Sequence, residues 1–201
     1  MPFTLRHAAA LLLFGTLLFG CSTGAPFDPA GPCTTDGQVA GSYPALEALV
    51  PKQLAGRGPD RLDSGRSCSD SALATLKAHG VTELRFAGGL WDLGKNSGTT
   101  LVVFDSPVPL QAEWLAELYE AGARAGRNTS DIASSMSQLG SAKAFRLDTL
   151  NDDSYQTVVV WTAGAHIVAA LVGSSVHEVP SRAAHEGRVM DALAALGAFA
   201  G

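Results

Sequence analysis

The chain has 201 residues, 46% of them apolar, and a net charge of −5 at pH 7. Its 14 Lys and Arg residues form no basic cluster, which argues against nucleic acid as a partner and against docking on anionic lipid head groups. The length that remains past residue 20 suffices for one domain with a substantial core.

The N-terminus has the pattern of an export signal. Arg6 is followed by Ala8 to Phe19, a stretch without a charged residue. About a dozen apolar residues are too few for a transmembrane helix, which needs roughly 20 to cross about 30 Å of hydrocarbon. We therefore expect a signal peptide over residues 1–20 and not a membrane span.

The end of this segment carries a recognisable motif. Leu18, Phe19, Gly20 and Cys21 resemble the lipobox of bacterial lipoproteins, in which Leu, a small residue, Gly or Ala, and Cys follow one another. Phe19 departs from that pattern, and the resemblance covers residues 1–21. It implies cleavage before Cys21, a diacylglyceryl group on its sulfur, and a chain anchored on the extracytoplasmic side of the cell membrane or outer membrane. Two or three acyl chains hold a protein firmly on a bilayer. A plain secretory signal with an ordinary thiol, or an uncleaved hydrophobic N-terminus, is the alternative.

Two cysteines remain once Cys21 is set aside. Cys33 and Cys68 form an even pair in a chain expected to reach an oxidising compartment. We predict a disulfide between them, which closes a loop of about 36 residues and contributes roughly 3 to 4 kcal/mol of stability. Two unpaired buried thiols are the alternative. Zinc is disfavoured because neither cysteine has a second Cys or a His two to four positions away.

A change in composition marks where the domain begins. The segment after Cys21 is rich in Ser, Thr, Gly and Pro and lacks apolar periodicity, whereas a regular apolar pattern starts near Tyr43. The sequence therefore predicts a lipidated cysteine and flexible tether over residues 21–43, and a single domain over residues 44–201.

Besides one short helical turn predicted at Leu46, Leu49 and Val50, helical patterns occur at four places after the tether. Ser69 or Asp70 is a suitable N-cap for a first helix, and Gly80 lies where a left-handed C-terminal residue belongs. The other predicted helices are one from Pro109 to Gly122 or Gly126, a short one after Asn128 that carries Ile132, Met136 and Leu139, and a last one over residues 181–199.

Strands are predicted where alternating or continuous apolar runs lie between turn residues. These runs are residues 81–86, 101–104, 145–149, 155–161 and 167–172. Short links between the last three imply antiparallel neighbours.

The order of these elements predicts an α+β fold. Strands grouped together with helices before and after them favour a two-layer sandwich of helices on a mostly antiparallel sheet of about five strands. A weak internal duplication is considered as well, because each half runs from a short helix through a hairpin ending in an apolar strand to a longer helix.

A glycine-rich segment comes close to a phosphate-binding loop. Gly89, Gly94, Lys95 and Asn96 differ by one residue from Gly-x-x-x-x-Gly-Lys-Ser/Thr. However, Asn96 lacks the hydroxyl that binds magnesium, and a strand follows where a helix N-terminus is required. We interpret residues 88–98 as a glycine-rich hairpin connection.

One group of potential metal ligands occurs late in the chain, at His177, Glu178, His185 and Glu186. These residues lack the i, i+4 pairing of two ligands on a helix. We expect His185 and Glu186 on the exposed first turns of the last helix and His177 in the loop before it, and we predict no metal there.

Serines near a histidine raise the possibility of hydrolysis. Ser174 and Ser175 precede His177, and His166 is a further candidate base. The mature chain contains no Gly-x-Ser-x-Gly motif, so hydrolase chemistry remains an alternative.

The leading hypothesis is a membrane-anchored, extracytoplasmic binding or accessory domain that is not an enzyme, because no catalytic set converges in the sequence. Its expected partners are the bilayer, through acyl chains on Cys21, and an apolar small molecule or an envelope protein; no cofactor and no nucleic acid are expected. Trp91, Trp114 and Trp161 are interpreted as core residues rather than as a ligand groove. An extracytoplasmic hydrolase and a structural envelope protein are the alternatives.

Overall fold

The computed structural model describes residues 27–94 and 97–196 of the chain. The predicted export signal and Cys21 lie outside the described residues. Within them the elements are, in chain order, β1 (Gly37–Val39), α1 (Pro44–Glu47), β2 (Arg61–Ser67), α2 (Asp70–Leu73), a 3₁₀ helix (Ala74–His79), β3 (Leu84–Gly94), β4 (Ser97–Asp105), α3 (Ala112–Ala125), β5 (Thr129–Leu139), β6 (Ala142–Asn151), β7 (Ser154–Ala163), β8 (His166–Ser175) and α4 (Arg182–Leu196).

The eight described strands form one antiparallel sheet in the order β1-β2-β3-β4-β8-β7-β6-β5. Strands β1–β4 and β5–β8 are two successive meanders, joined in the middle of the sheet where β4 pairs with β8. The fold is therefore mostly β. The predicted α+β sandwich on about five strands is wrong.

Both faces of the sheet are covered. Side chains alternate between the two faces along a strand, and in β4 Leu101 and Val103 belong to one core cluster, whereas Val102 and Phe104 belong to another. The first cluster also contains Leu46 of α1 and Leu196 of α4, and we call its side of the sheet the α4 face. The second contains residues of α2, of the 3₁₀ helix and of α3, and its side is the α3 face. The sheet thus lies between two helical layers, not under one.

The short helix predicted after Asn128 is wrong, because these residues form β5. This strand pairs with β6 from Thr129 opposite Asn151 to Leu139 opposite Ala142, and the turn between the strands passes through Gly140 with a φ of 59°. Strand β5 lies at the edge of the sheet, and Met136, expected in the core, is 48% exposed. The internal duplication considered from the sequence required a short helix at the start of the second half of the chain. These residues form β5 instead, so the proposed repeat pattern is wrong there.

Strand β2 was not predicted from the sequence, because strands were predicted from apolar residues and the buried side chains of β2 are polar. Arg66 is 3% exposed, and its guanidinium donates hydrogen bonds to the carbonyl oxygens of Gly31 at 2.7 Å and Pro32 at 2.8 Å. Ser64 donates to Glu47 of α1 at 2.8 Å. Such bonds let polar side chains lie buried beside the sheet. The segment that Arg66 holds belongs to the residues predicted as tether, as does β1.

The predicted disulfide is confirmed: Cys33 and Cys68 are bonded, with their Cα atoms 5.4 Å apart. It fixes the segment before β1 to the residue that follows β2. The predicted caps are confirmed too, since Ser69 accepts a hydrogen bond from the Ala72 N–H at 3.2 Å and Gly80 has a φ of 80°. Within the described ranges, no helix is both long and apolar enough to cross a membrane.

Candidate functional site

A cavity of about 490 Å³ lies between α3 and the sheet. Its floor is formed by Phe145 and Leu147 of β6 and by Val158 and Val160 of β7. Phe145 is opposite Val160 and Leu147 is opposite Val158 in the sheet register, and directly opposite residues project to the same face. The four side chains therefore make one continuous apolar surface. We call this space the α3 cavity.

Small side chains on α3 help to leave this space open. The helix is held to the core by Leu115 and Ala123, both fully buried. Ala116 and Ala121 line the cavity, so the helix presents methyl groups at positions where longer apolar side chains would reach the floor. The space is a half-open cleft, and its volume and apolar floor make it a candidate binding site.

Two hydroxyl groups of cavity-lining residues have no hydrogen-bond partner among the described residues, and both are closed off from the cavity as well as from bulk water. They belong to Tyr119 of α3 and Thr75 of the 3₁₀ helix, and both oxygen atoms are buried. Burial raises the pKa of Tyr119 far above its ordinary value. A buried polar group without a partner costs about 1–3 kcal/mol.

The rim of the cavity is acidic. Glu113, Glu117 and Glu120 line it together with Arg124. Glu120 accepts hydrogen bonds from Ser134 Oγ at 2.7 Å and from Arg124 Nη2 at 2.6 Å. The bond from Ser134 and then those from Arg124 hold the pKa of Glu120 below its usual range. Arg124 is thus already paired with one of the three glutamates.

Trp114 and His79 lie next to Glu117 of this rim. Their rings stack with centroids 4.6 Å apart, and His79 Nε2 lies 2.9 Å from Glu117 Oε2. Trp91 and Trp161 are core residues, as predicted, since they are 1% and 0% exposed. Trp114 is partly buried and packs against the core cluster on the α3 face.

A second polar cluster lies on the α4 face, between β6, β7 and α4. Thr157 Oγ1 is 3.0 Å from His185 Nε2 and donates to Asp148 Oδ1 at 2.5 Å. Arg146 donates to Asp148 at 2.8 Å through Nε and to Glu186 at 2.8 Å through Nη1. These contacts join α4 to the sheet.

The position of His185 differs from the prediction. It was expected on an exposed turn, but it is fully buried, and burial lowers its pKa to about 4. Histidine, hydroxyl and carboxylate are the residue types of a hydrolytic site. However, Thr157 is fully buried as well, so a substrate has no access to either group.

The structure does not assemble the predicted histidine and serine candidates into a catalytic arrangement. The His177 ring is exposed and lies 3.6 Å from Asp153, while its backbone N–H donates to Ser175 Oγ at 3.2 Å. Ser174 Oγ and His166 Nδ1 are buried and have no hydrogen-bond partner in the described part of the chain. Nucleophilic catalysis needs a base within hydrogen-bond reach of the nucleophile.

The phosphate-loop candidate has the geometry of a hairpin. Gly89 lies inside β3, and Gly94 pairs with Ser97 of β4. Lys95 and Asn96 lie outside the described residues. The connection between the strands is shorter than the predicted span of residues 88–98. The described ranges contain no group of three or more His, Cys, Asp and Glu side chains placed to hold a metal ion.

Sequence reasoning did not find the α3 cavity. In the sequence, the pattern of its floor residues is typical of buried strands, and Tyr119 belongs to the pattern of an amphipathic helix. The one local signal is the presence of Ala116 and Ala121 beside larger residues on the sheet side of the helix. Whether alanine leaves a space depends on how closely the sheet approaches, which is a tertiary property.

No model of a known protein family matches this chain, and a search of curated proteins found no match.

Proposed function

We propose that this chain is a membrane-anchored, extracytoplasmic binding domain that holds an apolar small molecule in the α3 cavity. The observation that carries the proposal is a cavity with a continuous apolar floor and a polar rim of three glutamates and Arg124. Ligand sites have this character: mostly apolar walls, with a few polar atoms that orient the ligand. At about 490 Å³, the cavity falls within the usual size range for small-molecule sites.

The anchor belongs to the same proposal. Lipid on Cys21, as the lipobox resemblance implies, would hold the cavity close to a bilayer, where apolar molecules are concentrated. The bilayer is then both the site of attachment and a source of ligand.

A binding role is favoured over hydrolysis by the state of the histidines. His185 of α4 is fully buried between that helix and the sheet, and the His177 ring is near Asp153 rather than a serine hydroxyl. A structural envelope protein is the remaining alternative, and it predicts a stoichiometric protein partner instead of a small molecule.

The test is to identify what the full lipidated chain retains when it is purified from bacterial membranes. Organic extraction and mass spectrometry should reveal an apolar molecule with the unaltered chain. Ala116→Trp places an indole in the cavity and should abolish retention. Met190→Trp adds the same group on α4, at a position that is 57% exposed, and should leave retention unchanged.

Two results would count against the proposal. Equal retention by the Ala116→Trp and Met190→Trp chains would show that the molecule binds elsewhere. An unaltered chain that retains no small molecule, but co-purifies with one protein in fixed ratio, would favour the structural alternative.

A further inference from the structure

The charge of the ligand can be inferred from the rim of the α3 cavity, an inference that rests on the proposed function. Glu113, Glu117 and Glu120 line the cavity and occupy positions i, i+4 and i+7 of α3, so they lie on one side of the helix. We call them the rim glutamates. Like charges at these spacings repel one another and destabilise a helix. A cation bound beside them would relieve that repulsion.

The described residues neutralise the rim glutamates only in part. Arg124 is bound to Glu120. Glu117 lies 2.9 Å from the Nε2 atom of His79, and histidine is not a permanent cation. Glu113 forms neither a hydrogen bond nor an ion pair with any described residue. The rim therefore carries more negative than positive charge.

Two further cations lie close to the cavity floor and do not offset this charge. The Arg146 guanidinium pairs with Asp148 and Glu186 on the opposite face of the sheet. The Lys143 ammonium is 5.8 Å from the centre of the Phe145 ring, but Lys143 does not line the cavity. An anionic head group in the cleft would therefore lie beside like charges, whereas a cationic head group would be attracted.

We propose that the α3 cavity binds a cationic amphiphile, an alkyl chain that ends in an ammonium group. The alkyl chain lies on the apolar floor and supplies most of the affinity through the hydrophobic effect. The ammonium group lies at the rim glutamates, within reach of Glu113 and Glu117. Because the cleft is half-open, the head group keeps part of its hydration and avoids the full cost of burying a charge.

Decylammonium, decanol and decanoate are matched probes, since their alkyl chains are alike and their head groups differ in charge. The full lipidated chain is held in phosphatidylcholine nanodiscs, and each probe displaces the neutral dye N-phenyl-1-naphthylamine at pH 7.5. The Ala116→Trp chain in identical nanodiscs measures partition of dye and probe into lipid, and this background is subtracted. We expect decylammonium to bind about fivefold more tightly than decanol, the effect of one exposed ion pair, and at least tenfold more tightly than decanoate.

Glu113→Lys tests the rim, because it reverses one charge at a side chain without a partner among the described residues. It should weaken decylammonium about tenfold, since a repulsion replaces an attraction. Binding of the neutral dye and of decanol should stay within about twofold, which also shows that the variant is folded. Glu113→Gln, which keeps the size of the side chain, should weaken decylammonium about threefold.

Asp191→Lys is the matched control for net charge. Asp191 is an exposed residue of α4, on the other side of the sheet from the α3 cavity. Its substitution changes the charge of the chain as much as Glu113→Lys does, but far from the rim glutamates. We expect it to leave the affinities for all three probes unchanged.

The outcomes separate the two proposals. If the dye does not bind above the Ala116→Trp background, the proposed function fails. If the dye binds but decylammonium competes no better than decanol, or Glu113→Lys and Asp191→Lys change its affinity equally, the assignment of the ligand class is overturned while the binding function stands.

Discussion

At the scale of single residues, His185 couples the fold to pH. An unfolded histidine titrates near pH 6.5, whereas burial lowers the pKa of His185 to about 4. Between these values the unfolded chain binds a proton that the folded chain does not. The free energy of unfolding therefore falls as the pH is lowered through this window.

We expect the free energy of unfolding to fall by about 2 kcal/mol between pH 7.5 and pH 5, as His185 alone would give. Urea titrations at the two pH values measure it. Asp148 and Glu186 also have lowered pKa values in the folded chain, but their effect is lost mainly below about pH 4.5, near the pKa of unfolded carboxyls. His185→Gln should remove most of the difference. The same pH dependence in both chains would exclude His185 as its source.

At the scale of elements, two arginine–glutamate pairs support the two long helices in different ways. Arg146 of β6 reaches across to Glu186 of α4 and also binds Asp148, with its own side chain 17% exposed. Arg124 pairs with Glu120 within α3, and its side chain is 61% exposed. The first pair joins a helix to the sheet, while the second lies along one helix in water.

Substitution of each arginine by methionine should separate these roles. Arg146→Met leaves two partly buried carboxylates without their cation, and we expect the free energy of unfolding to fall by about 3 kcal/mol. Arg124→Met should cost no more than about 0.5 kcal/mol, since solvent screens an exposed i, i+4 pair. Urea unfolding of both variants at pH 7.5 is the measurement. Losses of similar size would mean that Arg146 does not anchor α4.

Elements that carry their own pattern were predictable from the sequence. Residues 155–161 and 167–172 are apolar runs bounded by turns, and both lie inside the observed β7 and β8. The Ser69 cap and Gly80 marked the ends of α2 and the 3₁₀ helix. In these places the local preference and the tertiary structure agree.

Residues 129–139 show where local pattern fails. Ile132, Met136 and Leu139 have helical spacing, but the segment is rich in serine, which is a weak helix former. Pairing with β6 supplies backbone hydrogen bonds from Thr129 to Leu139, with one irregularity between Ser130 and Ala133. At the sheet edge few side chains of this strand need to be apolar. Pairing with β6 determines that this segment is a strand and not a helix. The sequence of residues 129–139 alone does not contain that partner.

At the scale of the whole molecule, the proposed lipid attachment and the proposed ligand site are separated across the sheet. The disulfide and the Arg66 contacts hold residues 28–33 beside β2, next to the β1 edge. The α3 cavity lies on β6 and β7, next to the β5 edge. The segment that leads towards Cys21 and the proposed ligand site are therefore at opposite ends of the strand order. Entry of the proposed ligand would not require the proposed attachment segment to move.

This separation makes a prediction for the disulfide. The bond links positions 35 apart in sequence, and a loop of that length corresponds to about 3 to 4 kcal/mol of stability in the chain-entropy description. The double substitution Cys33→Ser and Cys68→Ser, with Cys21 intact, should lower the free energy of unfolding by that amount in urea. Affinity of the α3 cavity for the neutral apolar dye N-phenyl-1-naphthylamine should stay within about twofold of that of the unaltered chain, because sites without shared contacts behave independently. A large loss of affinity in a chain that still unfolds cooperatively would mean that the β1 edge and the α3 cavity are coupled through the sheet.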